Sequence, residues 1–314
     1  MFSIRGVRRA TTVVAAVTLM LGLSSSRAWA QAAAEPPDPN PGALTITGNI
    51  DFLNQYMFRG IAQNVGESRG IAMWPSFDLG IQTYSGEGGF KSVTINLGTW
   101  NSLHTGDTGS NSDESGLGCA CGKLWYESDF YATLGLGFGG GFSIGTTYTA
   151  YTSPNNGFST VKEIMFKLGA DDSARLGKFS MKPYAIFAFE VGTDEHMGQA
   201  DGGLEAGKYL ELGISPGYTG YSRAAIAFPI KIGLSMGDYY ESPIDGTDNK
   251  FGYFSLAGIV TVPLGPTTKF GNWNLHFGAE YQALGDTTKY FNADKNGEPQ
   301  SNQFIGSVGF GFSY

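Results

Sequence analysis

The sequence predicts an all-β protein, an antiparallel transmembrane β-barrel of about 12 strands. Residues 303–314 alternate between an apolar parity, which ends on Phe310, Phe312 and Tyr314, and a parity rich in glycine and serine. Beyond the N-terminal region, no segment is apolar over the roughly 20 residues of a transmembrane helix. Glycine, with 47 of 314 residues, is about twice as frequent as usual, and charged residues, at 15%, are scarce. Because a backbone in lipid must satisfy its own hydrogen bonds, a closed barrel fits these observations.

Residues 1–30 have the pattern of a secretory signal peptide. Arg5, Arg8 and Arg9 precede an apolar core at residues 11–23, and the small-x-small sequence 28–30 precedes Gln31. Residues 1–30 contain four arginines and no acid, so cleavage takes the net charge from −8 to −12. So acidic a chain disfavours nucleic acid as a partner. We expect export to the outer membrane of a diderm bacterium, with outer-membrane lipid and the barrel assembly machinery as partners.

Residues 31–42 contain four prolines and predict an extended periplasmic leader, followed by the barrel at residues 43–314. Alternating runs mark the strands at residues 44–58, 71–82, 91–101, 124–136, 141–152, 158–168, 179–191, 208–216, 224–236, 251–262, 272–283 and 303–314. An even strand number places both termini of the chain in the periplasm. The odd-numbered connections, apart from 153–157, are the longer ones, as external loops usually are. The terminal aromatics Phe310, Phe312 and Tyr314 are expected to act as an assembly signal.

If the apolar parity faces lipid, the other parity lines the lumen. The inward set holds nearly all strand charges: Asp51, Asp78, Glu127, Asp129, Glu163, Lys167, Lys182, Glu190, Glu211, Lys231, His276 and Glu280. The eight acids among them favour a passage for small solutes or cations, because rings of carboxylates select cations. The alternative is a lumen closed by its own ion pairs, in a non-conducting barrel that presents its external loops to partners. The sequence indicates no oligomeric state.

Arg59 is predicted to end the first strand at the external rim. There it either reaches lipid headgroups or a rim acid, or it acts as a selectivity residue at the pore mouth. Cys119 and Cys121 lie in an external loop and are expected to form a disulfide or to remain two free thiols. Two thiols without a flanking histidine cannot complete a metal site, so neither metal nor cofactor is expected.

The histidines do not indicate an enzyme. His104 and His196 fall in predicted loops, and His276 lies on a strand among polar neighbours. No motif pairs one of them with a serine nucleophile, and a nucleophile needs a base within hydrogen-bond reach.

Four short motifs resemble one family of barrels. Residues 56–63 match Y-x-F-R-G-I-x-Q, residues 98–102 match G-T-W-x-S, residues 127–131 match E-x-D-x-Y, and residues 148–154 match Y-x-x-Y-x-x-P. In this order they resemble the TorF-type family of porin-like outer-membrane proteins (Gcw_chp). The resemblance covers residues 45–170 and implies a porin-like barrel, although the family has no settled mechanism. This chain departs from the family after Gln63, where the family reads P-A-x-Q-G.

Overall fold

The computed structural model describes residues 42–63, 70–105, 124–191, 205–221, 224–242, 244–294 and 296–314. The predicted signal peptide, nearly all of the proline-rich leader, His196, Cys119 and Cys121 lie outside the described residues.

The described residues are mostly β-strand. The strands are β1 (Leu44–Leu53), β2 (Met57–Phe58), β3 (Ile61–Ala62), β4 (Ala72–Ser85), β5 (Phe90–His104), β6 (Trp125–Phe138), β7 (Phe142–Thr152), β8 (Val161–Ala170), β9 (Phe179–Ser180), β10 (Tyr184–Glu190), β11 (Lys208–Ile214), β12 (Gly217–Tyr221), β13 (Ala224–Ala227), β14 (Ile230–Gly237), β15 (Phe251–Pro263), β16 (Asn272–Leu284) and β17 (Asn302–Ser313). Two short helices, α1 (Ser173–Leu176) and α2 (Asp286–Phe291), lie in connections. No helix of the described ranges is long and apolar enough to cross a membrane.

All strands except β2 and β3 form one closed antiparallel barrel. It has twelve strands when β9 and β10, β11 and β12, and β13 and β14 are each counted as one interrupted strand. The barrel closes where β1 pairs with β17, with Ile50 opposite Phe310 and the backbone of Ile46 bonded to that of Tyr314. The predicted fold class and strand number are confirmed.

Prolines interrupt three neighbouring strands. Each break contains one proline, Pro183, Pro216 or Pro229, at a position predicted to lie in or at the end of a continuous strand. Proline has no N–H to donate to the ladder, which explains the interruptions. The carbonyl groups of all three prolines still accept backbone hydrogen bonds from the neighbouring strands.

An apolar belt covers the outside of the barrel. Large side chains at alternate positions are exposed there, including Phe52, Phe77, Ile95, Leu97, Phe130, Leu134, Tyr148, Phe166, Leu212, Leu256, Phe277 and Phe310. A surface of this kind fits a hydrocarbon environment, because exposed apolar patches this extensive are rare on soluble monomers.

The two ends of the barrel differ. One end carries tight connections such as residues 86–89 and 139–141 and is called the short-turn end. The other end is called the long-loop end and carries the connections after β1, β5, β10, β14 and β16. After β1 the chain folds back into the barrel as the hairpin β2–β3. The first strand therefore ends at Leu53 instead of Phe58. Tyr56, which shares the apolar parity of the predicted strand and so should have faced lipid, is buried inside.

Candidate functional site: the charged interior of the barrel

The predicted inward charges lie mostly where the strand parity puts them. Seven carboxylates point inward and are almost completely buried: Asp51, Asp78, Glu127, Asp129, Glu163, Glu190 and Glu280. Lys167, Glu211, Lys231 and His276 also lie at inward positions and are half-buried. Their role as pore lining stays a prediction.

Lys182 does not lie on a strand. Its backbone has a φ of 45° in the break between β9 and β10, and its Nζ is 3.9 Å from Asp171 Oδ2 in the short-turn connection. The break at Pro183 removes this position from the inward parity that we expected for Lys182. Its charge therefore belongs to the short-turn end of the barrel.

The hairpin β2–β3 places Arg59 inside the barrel instead of at its rim. Arg59 and Gly60 form its turn with φ values of 45° and 85°, and a two-residue hairpin turn with two positive φ values is of type I′. The Arg59 side chain is 9% exposed. A non-glycine residue in this left-handed region is uncommon and is retained only where its surroundings hold it.

The guanidinium of Arg59 is enclosed on several sides. Nη1 lies 2.6 Å from Glu163 Oε2 and Nη2 lies 2.9 Å from Glu163 Oε1, a bidentate pair. Nη1 also donates to the Tyr239 hydroxyl at 2.8 Å. The guanidinium carbon lies 4.2 Å from the centre of the Tyr209 ring and 4.9 Å from that of Phe58. The pair is largely removed from solvent, and good hydrogen-bond geometry is needed there to offset the lost hydration of the two charges.

Three further hydrogen bonds, made by two residues, fix the hairpin turn. Asn292, which follows α2, donates to the Gly60 carbonyl at 2.7 Å and accepts from the Ala62 N–H at 3.0 Å. The Tyr240 hydroxyl donates to the Arg59 carbonyl at 3.0 Å. Residues of the connections after β14 and β16 therefore hold the Arg59-Gly60 turn of the hairpin β2–β3.

Hydrogen bonds also join described residues of the connection after β14 to the end of that strand. Ser235 Oγ donates to Asp248 at 2.5 Å and accepts from the Tyr239 N–H at 3.2 Å. Burial raises the pKa of Asp248, but hydrogen bonds from Lys250 and Ser235 outweigh it and hold the pKa below its ordinary value. Asp248 thus contacts Ser235, and Ser235 in turn accepts from the backbone of Tyr239.

Aromatic side chains fill the interior near the long-loop end. One buried cluster contains Leu53, Tyr56, Trp74, Trp100, Tyr126 and Ile305. The other contains Ile61, Met165, Ile186, Ala188, Tyr209, Tyr239, Tyr240, Tyr253 and Leu284. Both contact the hairpin, which brings Tyr56 to the first and Ile61 to the second. The hairpin and these side chains together occupy this part of the interior.

Tyrosine hydroxyls donate hydrogen bonds to several of the inward acids. Glu211 accepts from Tyr184 at 2.8 Å, from Tyr209 at 2.7 Å and from Tyr253 at 2.8 Å. Glu127 accepts from Tyr56 at 2.8 Å. Sequence reasoning missed these tyrosines, although Tyr184 and Tyr209 share the strand and the parity of Glu190 and Glu211, a signal that could have indicated them.

Other inward acids have polar or basic partners. Asp51 Oδ1 lies 2.6 Å from His276 Nε2. Glu280 accepts from Ser255 at 2.6 Å and lies 3.8 Å from Lys231 Nζ. Hydrogen bonds therefore stabilise many of the inward carboxylates. The inward acids outnumber the inward basic residues.

Ser102 and His104 form a contact that the sequence analysis missed. His104 ends β5 instead of lying in a loop, and its Nε2 is 2.7 Å from Ser102 Oγ. Both residues are fully buried, and Trp74 Nε1 donates to the same hydroxyl. Among the described residues, His104 Nδ1 has no hydrogen-bond partner, so it lacks the orienting acid of a catalytic triad. In the described ranges, no group of three or more His, Cys, Asp or Glu can hold a metal ion.

The terminal aromatics lie at the seam of the barrel. Phe310 is exposed on the outer belt, and the Phe312 ring centre lies 5.1 Å from that of Trp273. Tyr314 exchanges two backbone hydrogen bonds with Ile46, at 2.6 and 2.7 Å. Their role as an assembly signal stays a prediction.

No family model matches the chain, and no curated protein is significantly similar to it in sequence. Similar solved structures include an outer membrane channel from Pseudomonas putida F1, 12% identical, which covers 90% of this chain and 100% of that chain with a TM-score of 0.48. The NanC porin is 10% identical, covering 86% and 99% with a TM-score of 0.41. Outer membrane phospholipase A from Escherichia coli is 13% identical, covering 85% and 89% with a TM-score of 0.42. Such distant likenesses identify neither a substrate nor a reaction.

The closed barrel, its apolar belt and its charged interior define the class of this protein, a β-barrel of the outer-membrane type. The resemblance of its motifs to the TorF-type family stays a prediction.

Proposed function

We propose that this chain is an outer-membrane channel that passes small solutes or ions and favours cations. The observation that carries the proposal is the charge balance inside the barrel. Eight inward carboxylates face Arg59, Lys167 and Lys231. In a narrow lumen with low-dielectric walls the electric field of such an excess is focused, and it attracts cations to the passage.

Reconstitution in planar bilayers tests this proposal. We expect small conductance steps and, under a salt gradient, a reversal potential that favours cations over anions. Anion preference from folded protein would contradict the proposed selectivity.

One observation favours a second function, a non-conducting barrel that presents its long loops to envelope partners. The hairpin β2–β3 and the two aromatic clusters fill the interior near the long-loop end. A silent bilayer from verified, folded protein would favour this second function. Conductance that appears only after the hairpin is disrupted would indicate a channel that is closed at rest.

The export route is part of the proposal. We propose that residues 1–30 are cleaved before Gln31 and that the mature chain is inserted by the barrel assembly machinery. N-terminal sequencing of the protein from an outer-membrane fraction tests the cleavage site. Recovery of the protein in the soluble periplasmic fraction would contradict the proposed location.

A further inference from the structure

The surroundings of Arg59 have the chemistry of a binding site for an organic cation. Four residues make them: Tyr151, Glu163, Tyr209 and Tyr239, here called the cation cage. Glu163 supplies a carboxylate that is 1% exposed, and Tyr151 donates to its Oε1 at 3.1 Å. Tyr209 and Tyr239 present ring faces 4.2 and 5.4 Å from the guanidinium carbon of Arg59.

The cage belongs to the barrel and its occupant belongs to the hairpin. Tyr151, Glu163 and Tyr209 lie on β7, β8 and β11, and Tyr239 follows β14. Arg59 enters from β2–β3, whose two strands have only two residues each. A displacement of this hairpin would therefore remove the occupant and leave the four cage residues on their own elements.

We propose that the cation cage binds guanidinium-bearing or related organic cations that enter the lumen, and that Arg59 is its tethered resident ligand. The inference rests on the proposed cation-favouring channel and names the solute class that this channel recognises.

The geometry discriminates between cations. A planar guanidinium pairs with a carboxylate through two parallel hydrogen bonds and stacks on aromatic rings, as Arg59 does here. An alkylammonium is a compact, strongly hydrated charge that can make only part of these contacts. Sodium ion is hydrated more strongly still and gains little from ring faces. We therefore expect affinity to fall from guanidinium to alkylammonium to sodium.

The tether explains why a free cation would not displace Arg59 readily. A ligand attached to the site binds it intramolecularly, with an effective concentration set by its tether. The tether here is a short hairpin whose turn is held by Asn292 and Tyr240. Removal of the Arg59 side chain should vacate the cage and leave Glu163 buried without its cation. A diffusible guanidinium should then bind and stabilise the folded barrel, because a ligand that binds only the folded state shifts its unfolding.

The test is chemical rescue of the full-length Arg59→Ala variant. Its thermal denaturation, followed by the gel shift of folded against unfolded barrel, is measured in detergent with N-ethylguanidinium, ethylammonium or sodium chloride at equal millimolar concentrations. We expect a midpoint below that of the wild type, raised by a few degrees in N-ethylguanidinium and less in the other salts. If Arg59→Ala does not fold in any salt, Arg59→Gln is used and the same contrast decides.

Two further variants make the result specific. In the double variant Arg59→Ala with Glu163→Gln, the advantage of N-ethylguanidinium should disappear. Arg175→Ala removes an exposed arginine from the short-turn end and should behave as the wild type does. Equal shifts of the denaturation midpoint in all three salts would overturn the proposed cation cage. So would an advantage of N-ethylguanidinium that persists in the double variant.

This readout does not depend on conduction. A silent bilayer together with specific rescue would contradict the channel and leave the cage standing, whereas a conducting barrel without rescue would contradict the cage alone.

Discussion

The carboxylate of Glu163 accepts two hydrogen bonds from the guanidinium of Arg59, at 2.6 and 2.9 Å, although the two residues are 104 positions apart. Arg59 lies in the turn of an inward hairpin and Glu163 on a barrel strand. The pair therefore joins the hairpin to the barrel wall. Because both side chains are buried, removal of either one would leave the other charge buried without its partner.

Glu163→Gln should destabilise the barrel by about 3–5 kcal/mol, because it leaves the charge of Arg59 buried without its partner. Urea unfolding of the protein in lipid vesicles measures the loss. Glu87→Gln is the matched control, since Glu87 is exposed in a short-turn connection and its neutralisation should leave the stability unchanged. Equal stability of the two variants would mean that the ion pair contributes nothing to holding the hairpin.

Gly60→Ala should weaken the packing of the hairpin. A Cβ at Gly60 would lie 3.0 Å from Cβ and Cδ1 of Tyr253, and the φ of 85° adds a backbone penalty of about 1–2 kcal/mol. Gly297→Ala is a close control, because Gly297 has a φ of 80° but open space around its Cβ position. The unfolding free energies of the two variants should differ by about 1–3 kcal/mol, the usual range for an overpacked site. Equal losses would show that the contact with Tyr253 relaxes freely.

Leu256→Lys should test the membrane orientation of the outer belt. Leu256 lies near the middle of β15 and is 44% exposed, so a lysine there meets hydrocarbon, at a cost of about 2–4 kcal/mol near the midplane. Ile244→Lys places the same charge in the connection after β14, where Ile244 is 69% exposed, and should cost almost nothing. Vesicle unfolding compares them. If both lysines are tolerated equally, the belt does not face lipid.

The double variant Glu127→Gln with Asp129→Asn should reduce the cation preference of the channel. Both side chains lie on the inward face of β6 and are nearly fully buried. The reversal potential under a salt gradient measures the change. Higher salt should reduce the preference of the wild type as well, because the Debye length falls from about 10 Å at 0.1 M to about 3 Å at 1 M. A preference that survives both changes would place the selectivity elsewhere.

The barrel was predictable because alternation repeats in every strand and lipid admits few architectures. Phe310 on the belt and Asp51 inside follow from parity alone. The hairpin was not predictable in this way. The apolar parity of β1 continues in the sequence through Tyr56 and Phe58. The Arg59-Gly60 turn lacks the asparagine or aspartate that usually marks a type I′ hairpin.

The candidate site was predictable only in part. Strand parity assigned Glu163 to the interior, but a single sequence contains no signal that joins it to Arg59. Pro183 was visible as a residue that interrupts a ladder, and it would have warned against placing Lys182 on a strand. The tyrosine partners of the acids required the register between neighbouring strands, which depends on the closed sheet.

We propose that the barrel is a channel whose lumen is obstructed by the hairpin β2–β3. The most direct test replaces residues 57–62 with a flexible glycine-serine segment of equal length and compares the bilayer conductance of this variant with that of the wild type. Gel mobility with and without heating verifies that both barrels are folded. We expect larger conductance steps from the variant than from the wild type, with the cation preference retained. A folded variant that is silent, or whose steps equal those of the wild type, would contradict the claim.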